Sequence, residues 1–310
     1  MRIAHCIHGL GSGGAQKVIA TLLHQRQDPS LRHFVYSCHD GVERRAIEAA
    51  ASAVRILPRT LAKLDPIWVW RLARAMRRDA IALVHTHLFG DSLHGYLAAR
   101  LSGNRPVVMT LHTRPEGLSG LQRRGYGGLL RRCARAVACS QAVARAFEQA
   151  YGESGLPHPI LTIANGLTPP DDGLSPEQQK VLRASLGYGP ETLLLGAIGR
   201  LAVEKGFDDL LTALADLRSI VPEVRLLLVG DGPLRHALEQ RAEALGLGET
   251  VHFTGFRTDV AQLLGIIDVV VFSSLWEGLP VALLEAMATR RCIVTTDVPG
   301  ILEAVRDGRE

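Results

Sequence analysis

Short apolar runs rich in β-branched residues alternate with longer segments of helical periodicity along almost the whole chain. The candidate strands are RIAHCIHG, HFVYSCH, AVRILP, IALVHTH, PVVMTLH, AVACS and ILTIANG, followed by TLLLGAIGR, VRLLLVG, VHFTG, IDVVVFSS and CIVTTD. Segments such as AQKVIATLLHQ, DDLLTALADLRSI and PLRHALEQRAEALG are the candidate helices between them. Strands that alternate with helices form parallel sheets covered by those helices, so the chain is predicted to have an α/β fold.

Length and one interruption predict two domains. The 310 residues exceed the usual size of a single domain. The segment NGLTPPDDGLSPEQQ, residues 165–179, breaks both periodicities with proline, glycine and acidic residues. We therefore predict two Rossmann-like domains that face a cleft, an N-terminal domain over residues 1–168 and a C-terminal domain over residues 169–310. Ligands of such sheets bind beyond the carboxyl ends of the strands, so site residues are expected in the loops that follow strands.

Composition argues against several classes of protein. No apolar run approaches the roughly 20 residues that a membrane-spanning helix needs. The opening MRIAHCIHGLGSGG suits a first strand better than a signal peptide, because His and Gly interrupt its apolar stretch. The five cysteines form no CxxC pair, which argues against a disulfide framework and a zinc site. We expect a cytoplasmic protein, either soluble or peripheral at the inner face of the cell membrane.

The charge is distributed unevenly along the chain. Residues 1–189 contain 24 Lys and Arg against 13 Asp and Glu, whereas residues 190–310 contain 11 against 18. The first half is expected to face an anionic membrane surface or an acidic acceptor, with solvated basic helix faces that bind no partner as the alternative, and no nucleic-acid motif is visible. Two of its segments, DPIWVWRLARAMRRDA and RPEGLSGLQRRGYGGLLRR, mix basic with apolar residues. They are either membrane-binding surfaces or amphipathic helices whose apolar side faces the core.

Two loops after predicted strands are suited to phosphate. GLGSGGAQK contains Gly13 and Gly14 between a strand and a helix, a composition that lets backbone N–H groups approach a phosphate, although a plain tight turn is the alternative. GRLAVEKG contains Arg200 and Lys205, which can converge on a diphosphate unless they are ordinary surface charges. A third loop, VGDGP, is predicted to place Pro233 at the first position of a helix.

Histidines end two of the predicted strands. His112 closes PVVMTLH and could donate to a substrate hydroxyl, with a structural histidine as the alternative. His85 and His87 are close enough in sequence to share a metal, but no carboxylate or cysteine at a matching spacing joins them. No metal site is predicted.

The segment EGLPVALLEA places two glutamates around the predicted start of a helix. Glu277 precedes the helix, Pro280 is expected at its first position, and Glu285 lies about one and a half turns inside. The free N–H groups between the glutamates attract phosphate. A nucleotide sugar fits this arrangement, with one glutamate on sugar hydroxyls and the other on ribose hydroxyls. Helix capping by Glu277 and a solvated Glu285 are the alternative.

These segments together resemble the signatures of a known family. GLGSGGAQKVI, TLHT, ACSQAV, IANG, GRLAVEKG, VGDGP, FTGF, SSLWEGLPVALLEAMA and TTDVPG occur in the order seen in family 4 glycosyltransferases, which have the GT-B fold. The resemblance implies a nucleotide-sugar donor held chiefly by the second domain and an acceptor held chiefly by the first. It also implies metal-independent transfer with retention of the anomeric configuration, with no cofactor beyond the donor substrate.

The resemblance also assigns roles to single residues. Arg200 and Lys205 are implied to bind the donor diphosphate, Glu277 and His112 the sugar, and Glu285 the ribose. Glycines of the first loop are implied to face the diphosphate, and the backbone that follows Glu277 is implied to lie against sugar and phosphate. The implied catalytic residues are Glu277, Arg200, Lys205 and His112, and the implied donor-binding residues are Gly13, Gly14, Gly278, Leu279, Pro280 and Glu285.

The predicted function is therefore that of a retaining glycosyltransferase. Its acceptor is expected to be a glycan or a lipid-linked molecule of cell-envelope polysaccharide or lipopolysaccharide synthesis. A nucleotide-sugar epimerase and a non-catalytic nucleotide-sugar-binding remnant are the alternatives. A dehydrogenase is weaker, because no acidic residue stands convincingly about 20 positions beyond the first glycine loop.

The sequence departs from the family pattern in two places. Arg290 and Cys292 stand where the family usually has Gly and Pro, and Arg290 is expected to strain the end of its helix. The second domain is expected to be incomplete at its C-terminus, because the family continues beyond LEAVRDGRE.

Overall fold

The structure, a computed structural model, describes residues 1–25, 28–61, 65–152, 155–168 and 173–308. The chain divides into two compact units, Met1–Thr168 and Pro169–Glu310. Each unit is built on one parallel sheet whose strands are connected through helices.

Unit 1 contains a seven-stranded parallel sheet in the order β3-β2-β1-β4-β5-β6-β7. The strand order reverses between β1 and β4, which is where doubly wound sheets bind their ligands. Its strands are β1 (Arg2–Gly9), β2 (Arg32–His39), β3 (Ala53–Ile56), β4 (Leu83–His87), β5 (Val107–Leu111), β6 (Arg135–Ala138) and β7 (Leu161–Thr162). Its helices are α1 (Gly14–His24), α2 (Arg44–Ala50), α3 (Pro66–Arg78), α4 (Phe89–Leu101), α5 (Gly120–Leu130) and α6 (Gln141–Tyr151).

Unit 2 contains a five-stranded parallel sheet in the order β10-β9-β8-β11-β12. The order reverses between β8 and β11, so the loops after these two strands occupy the equivalent binding position. Its strands are β8 (Leu193–Ile198), β9 (Val224–Val229), β10 (Val251–Gly255), β11 (Val269–Phe272) and β12 (Cys292–Thr295). Its helices are α7 (Pro176–Ser185), α8 (Phe207–Ile220), α9 (Arg235–Ala244), α10 (Val260–Ile266), α11 (Val281–Ala288) and α12 (Pro299–Leu302).

Each unit has its own apolar core between sheet and helices. In unit 1, Ile19 and Leu23 of α1 pack with Ile7 and Val35 of β1 and β2, and all four are fully buried or nearly so. In unit 2, β9 is apolar on both faces through Leu226, Leu227 and Leu228, which is the pattern of a central parallel strand covered by helices on both sides. The cores hold the strand ends, and therefore the loops of interest, on rigid frames.

The predicted α/β fold is confirmed, and every predicted strand overlaps an observed one. Two helix starts were predicted wrongly. Helix α9 begins at Arg235, because the N–H of Leu234 is donated to the carbonyl of Leu201 and the chain turns once more after Pro233. Helix α11 begins at Val281, and Pro280 is its N-cap in an extended conformation with ψ 130°. None of the helices in the described ranges combines the length and hydropathy that crossing a bilayer requires.

Candidate functional site

Four loops of unit 2 interlock at the carboxyl edge of its sheet. A Cβ added at Gly230, after β9, would overlap the carbonyl oxygen of Gly199, after β8. A Cβ at Gly300, in α12, would overlap the carbonyl oxygen of Gly278, after β11. These close backbone approaches are open only to glycine, so the loops form one continuous surface around the predicted donor residues.

The loops after β8 and β11 are further joined by hydrogen bonds. The hydroxyl of Ser273 donates to the carbonyl of Lys205 over 2.8 Å, and the N–H of Leu275 donates to the carbonyl of Glu204 over 2.9 Å. Gly206 adopts φ 59°, and a Cβ there would overlap the carbonyl oxygen of Ser273. The position of the Lys205 side chain is therefore fixed relative to the segment that carries Glu277.

Lys205 and Glu277 form an ion pair in this surface. The Lys205 ammonium donates to Oε1 of Glu277, and the Ser274 hydroxyl donates to the same oxygen over 2.9 Å. The side chains of Lys205 and Glu277 are 17% and 12% exposed, so water screens the pair only in part. Among the described residues, no further partner takes the other two N–H donors of Lys205 or Oε2 of Glu277, which gives a ligand one cationic and one anionic contact side by side.

The start of helix α11 lies four residues beyond Glu277. No acidic residue occupies the first turn of α11, and its N-cap residue Pro280 makes no side-chain capping bond. Pro280 has no N–H, so the backbone N–H groups of this turn before the helix belong to Gly278 and Leu279. Glu285 is partly buried within the helix. The arrangement attracts an anion to the helix start.

Arg200 lies in the same loop as Lys205 but points its side chain to solvent. Its residue is exposed, and within the described ranges its guanidinium makes no ion pair. The sequence analysis predicts that Arg200 and Lys205 both bind a diphosphate. The structure holds Lys205 against Glu277 and leaves Arg200 available to a ligand.

In unit 1, the glycine-rich loop ends in the start of helix α1. Gly13 is the N-cap and Gly14 the first helical residue, and no acidic side chain occupies the first turn. The Gln16 amide donates to the carbonyl of Gly9 over 2.8 Å, which fixes the loop against the end of β1. This loop therefore presents unneutralised N–H groups at the carboxyl edge of its own sheet, as a phosphate site requires.

His112 is partly buried after β5 and belongs to a row of histidines. Its Nε2 lies 3.1 Å from Nδ1 of His87 on β4. Nε2 of His87 lies 3.5 Å from Nδ1 of His5 on β1, and Nε2 of His5 lies 2.9 Å from Nδ1 of His33 on β2. Burial lowers the pKa of His112 to about 4, and it lowers the pKa values of His5 and His87 well below the usual range. These three imidazoles are therefore neutral near pH 7.

In the part of the chain that the structure describes, two groups of side chains have the spacing of metal ligands. His5, His85 and His87 have ligand nitrogens within 4.8 Å of one another. The third side chain of this group is a histidine rather than a carboxylate or cysteine, because β1 lies beside β4 and places His5 in register with His85. The second group is His8, Cys38 and His39, at the carboxyl ends of β1 and β2, also within 4.8 Å.

Asp91 is a functional candidate that sequence reasoning missed. It lies in the first turn of α4, is only 2% exposed, and accepts a hydrogen bond from the N–H of His8 over 2.7 Å. Burial raises the pKa of its carboxyl to about 7, against the lowering effects of the His8 bond and of Arg59. No local sequence pattern predicts this buried carboxylate, since its burial depends on how α4 packs.

Ser274 and the row of histidines were also missed, although a signal existed for the row. The motif HTH places His85 and His87 at alternate positions of a predicted strand, and alternate positions share a face of the sheet. Only the strand order shows that β2, β1 and β4 are adjacent. Ser274 lies three residues before Glu277, and nothing in that spacing alone indicates its hydrogen bond.

Comparison with known proteins gives consistent matches over both units. Residues 12–169 match the family described as Glycosyltransferase Family 4, and residues 178–310 match the family described as Glycosyl transferases group 1. The crystal structure of HepE from Anabaena, in complex with UDP and glucose, is 28% identical with a TM-score of 0.86, covering 99% of this chain and 84% of HepE.

Two curated relatives show how much of each protein is shared. EpsD of Bacillus subtilis is 36% identical over 135 residues, which are 44% of this chain and 35% of EpsD. The UDP-Gal:alpha-D-GlcNAc-diphosphoundecaprenol alpha-1,3-galactosyltransferase of Escherichia coli is 24% identical over 259 residues, which are 76% of this chain and 66% of that enzyme.

Proposed function

The chain belongs to the family 4 glycosyltransferases, and from that premise we propose that it transfers a sugar from a uridine diphosphate sugar to a glycan or lipid-linked acceptor. The observation that carries the proposal is the Lys205–Glu277 pair beside the start of α11. It sets a cation, a carboxylate and a helix N-terminus with no acidic residue in its first turn at the carboxyl edge of one sheet, as a donor with a central diphosphate and hydroxyl-bearing rings requires.

In the proposed complex, unit 2 binds the donor. Lys205 and Arg200 contact the diphosphate, the N–H groups of Gly278 and Leu279 face sugar and phosphate, and Glu285 accepts from the ribose. Glu277 accepts from sugar hydroxyls through Oε2, while Lys205 and Ser274 hold Oε1. A carboxylate fixed in this way selects hydroxyl positions, because Oε2 is then held in one place.

The chemistry proposed is stabilisation of the leaving diphosphate. The sugar–phosphate bond breaks as the acceptor oxygen bonds to the anomeric carbon, and negative charge grows on the phosphate. Lys205, Arg200 and the start of α11 offset that charge, so a metal ion is not required in the proposal. Retention of the anomeric configuration is proposed through attack on the face that the phosphate leaves, with the phosphate accepting the acceptor proton.

Uridine is proposed as the base because HepE, at 28% identity, is seen with UDP and glucose. A lipid-linked acceptor is proposed because the relative from Escherichia coli is named for transfer to a diphosphoundecaprenol-linked sugar. In unit 1, His112 is proposed to contact the donor sugar, and Gly13 and Gly14 to face the diphosphate. We place acceptor binding chiefly in unit 1, and the reaction in cell-envelope polysaccharide synthesis at the inner face of the membrane.

The test is calorimetric titration of the protein with UDP-, GDP- and ADP-sugars. We expect one UDP-sugar to bind, and Lys205→Ala and Glu285→Ala each to weaken it at least tenfold, the loss of about one charged hydrogen bond. Lys180→Ala is the matched control, since Lys180 is an exposed lysine of α7. Failure of every donor to bind, or wild-type affinity in Lys205→Ala, would contradict the proposal.

Turnover tests the chemical part. The donor that binds is incubated with lipid-linked glycan acceptors, with and without EDTA, and the anomeric proton coupling of the product is read by NMR. Retained configuration and unchanged rates in EDTA are expected. An inverted product would refute the proposed mechanism, and binding without any transfer would favour a non-catalytic binding protein.

A further inference from the structure

Four imidazoles in unit 1 are connected head to tail. Every link joins Nε2 of one ring to Nδ1 of the next, from His112 through His87 and His5 to His33. The distances along this histidine row are 3.1, 3.5 and 2.9 Å, so the link between His87 and His5 is the longest. The row runs across four neighbouring positions of the sheet, from the end of β5 to β2.

The parallel register explains why these side chains meet. His5 pairs with His85, and His87 pairs with Thr110, two residues before His112. Alternate residues of a strand share one face, so His85 and His87 project to the same side as His5, and His33 joins them from β2. His85 itself is not a link, because its Nε2 lies 2.7 Å from the hydroxyl of Thr110.

Counting protons gives the row only two states. A neutral imidazole has one N–H and one lone pair, and each link uses one of each. Four rings supply four N–H groups, three links consume three, and the remaining N–H must lie at one end of the row. In one state all four rings are protonated on Nδ1, and in the other all four are protonated on Nε2.

The neutral charge state that this count assumes agrees with the burial of the row. His5, His33 and His87 are each less than 5% exposed. Burial lowers the pKa values of His5, His87 and His112, and neighbouring imidazoles lower those of His5 and His87 further. No carboxylate forms a hydrogen bond with His5, His87 or His112 within the described residues that could hold a charged ring in place.

We propose that His87 and His5 are positioning residues that fix the tautomer of His112. All four rings of the row then carry their proton on the same nitrogen, either Nδ1 or Nε2. The role of His112 as a sugar contact rests on the proposed function. With Nε2 engaged by His87, only Nδ1 of His112 can face a ligand. The state of the row then decides whether that nitrogen donates to a sugar hydroxyl or accepts from it.

The first test is independent of activity. Two-bond ¹H–¹⁵N correlation spectra of ¹⁵N-histidine protein, assigned with single His variants, report which nitrogen of each ring carries the proton. We expect His5, His33, His87 and His112 to show the same neutral tautomer at pH 7.5. A mixture of tautomers among the four would overturn the proposal.

The same sample tests the competing use of these side chains. His5, His85 and His87 also have the spacing of metal ligands. Titration with Zn²⁺ is expected to leave their signals unchanged at stoichiometric metal. Saturable shifts of all three rings at one equivalent would show a metal site in place of the hydrogen-bonded row, because zinc takes the lone pairs that the links need.

The second test asks whether the row acts on the ligand through His112. Affinities for UDP-glucose and for UDP alone are measured for wild type, His112→Ala, His87→Phe and His85→Phe. His112→Ala and His87→Phe are each expected to reduce the preference for UDP-glucose over UDP by about three- to tenfold, the contribution of one hydrogen bond between neutral groups. His85→Phe is the matched control, since it removes a neighbouring histidine outside the row.

The outcomes separate the two proposals. If wild type binds neither compound, the proposed function fails while the tautomer spectra still decide the row. If His87→Phe weakens UDP and UDP-glucose by the same factor, or changes the preference no more than His85→Phe, the residue is merely structural and its positioning role is refuted.

Discussion

At Glu277, one carboxylate oxygen accepts hydrogen bonds from both Lys205 and Ser274. Ser274 is 2% exposed, so its hydroxyl has a fixed direction. We expect Ser274→Ala to weaken UDP-sugar binding by about tenfold, because the carboxylate loses one of two bonds that orient it. Calorimetry gives the affinity, and Ser219→Ala, at an exposed serine of α8, is the control. Unchanged affinity would show that Lys205 alone orients Glu277.

Asp91 predicts a pH dependence of stability. Its pKa is raised from 3.8 to about 7 by burial, so the folded state holds a proton that the unfolded state releases. Stability from this group is therefore fully present below pH 3.8 and is lost as pH rises toward 7. Asp91→Asn removes that loss, and its advantage over wild type should grow by about 1.4 kcal/mol per pH unit, to at most ~4 kcal/mol.

Urea denaturation at pH 5, 6, 7 and 8 measures this difference. Asp28→Asn is the control, because hydrogen bonds from Ser30 lower the pKa of exposed Asp28 and its contribution should not vary across this range. A constant offset between Asp91→Asn and wild type from pH 5 to pH 7 would contradict the prediction.

Among the elements, helix α11 ends with an unfavourable residue. The N–H of Arg290 is donated to Met287 and that of Arg291 to Ala286, the two bonds of a Schellman motif, and Arg290 has φ 55°. A residue with a Cβ is strained there, as its sequence predicted. Arg290→Gly should stabilise unit 2 by about 1 kcal/mol without altering donor affinity.

The reverse substitution, arginine for glycine at the end of another helix, serves as the control for that prediction. Helix α9 ends in the same motif with glycine, since Gly246 has φ 69° and its N–H is donated to Glu243. Gly246→Arg should destabilise by a similar amount in the same thermal denaturation. Equal melting temperatures for Arg290→Gly and wild type would show that the turn accommodates arginine without strain.

Elements were predictable where one local signal decides them, and contacts were not. The apolar runs gave the strands, because a buried parallel strand must be apolar on both faces. Pro280 was placed one residue too far inside α11, since proline is compatible with both the N-cap and the first helical turn. The Lys205–Glu277 pair joins loops 72 residues apart, and only the strand order brings those loops together.

At the scale of the whole molecule, charge divides along the two units. Residues 1–168 carry 22 Lys and Arg against 10 Asp and Glu, whereas residues 169–310 carry 13 against 21. Helix α3 packs Trp68 and Leu72 into the core, while Trp70 is 51% exposed with the Arg74 guanidinium over its ring at 5.6 Å. Helix α3 is therefore amphipathic, with one apolar face in the core. Its outer face, which carries Trp70 and Arg74, is the surface on which the membrane prediction can be tested.

We expect the protein to sediment with vesicles containing anionic phosphatidylglycerol more than with neutral phosphatidylcholine, and salt to reduce the bound fraction. Trp70→Ala combined with Arg74→Glu should reduce binding at least fivefold, since each basic residue near the surface contributes about 1 kcal/mol. Arg218→Glu, on α8 of unit 2, is the control for charge alone. A bound fraction that changes neither with salt nor with the content of anionic lipid would refute the membrane prediction.

The glycine contacts that interlock the loops of unit 2 also bear on how that unit opens. The loop after β8 touches the loops after β9 and β11 backbone to backbone, and α12 touches the loop after β11, so none of these loops can separate without disturbing a neighbour. Their amides should therefore exchange with deuterium through a single cooperative opening rather than by independent fraying. Protection conferred by a bound donor would then extend across the whole carboxyl edge, including amides that never touch it.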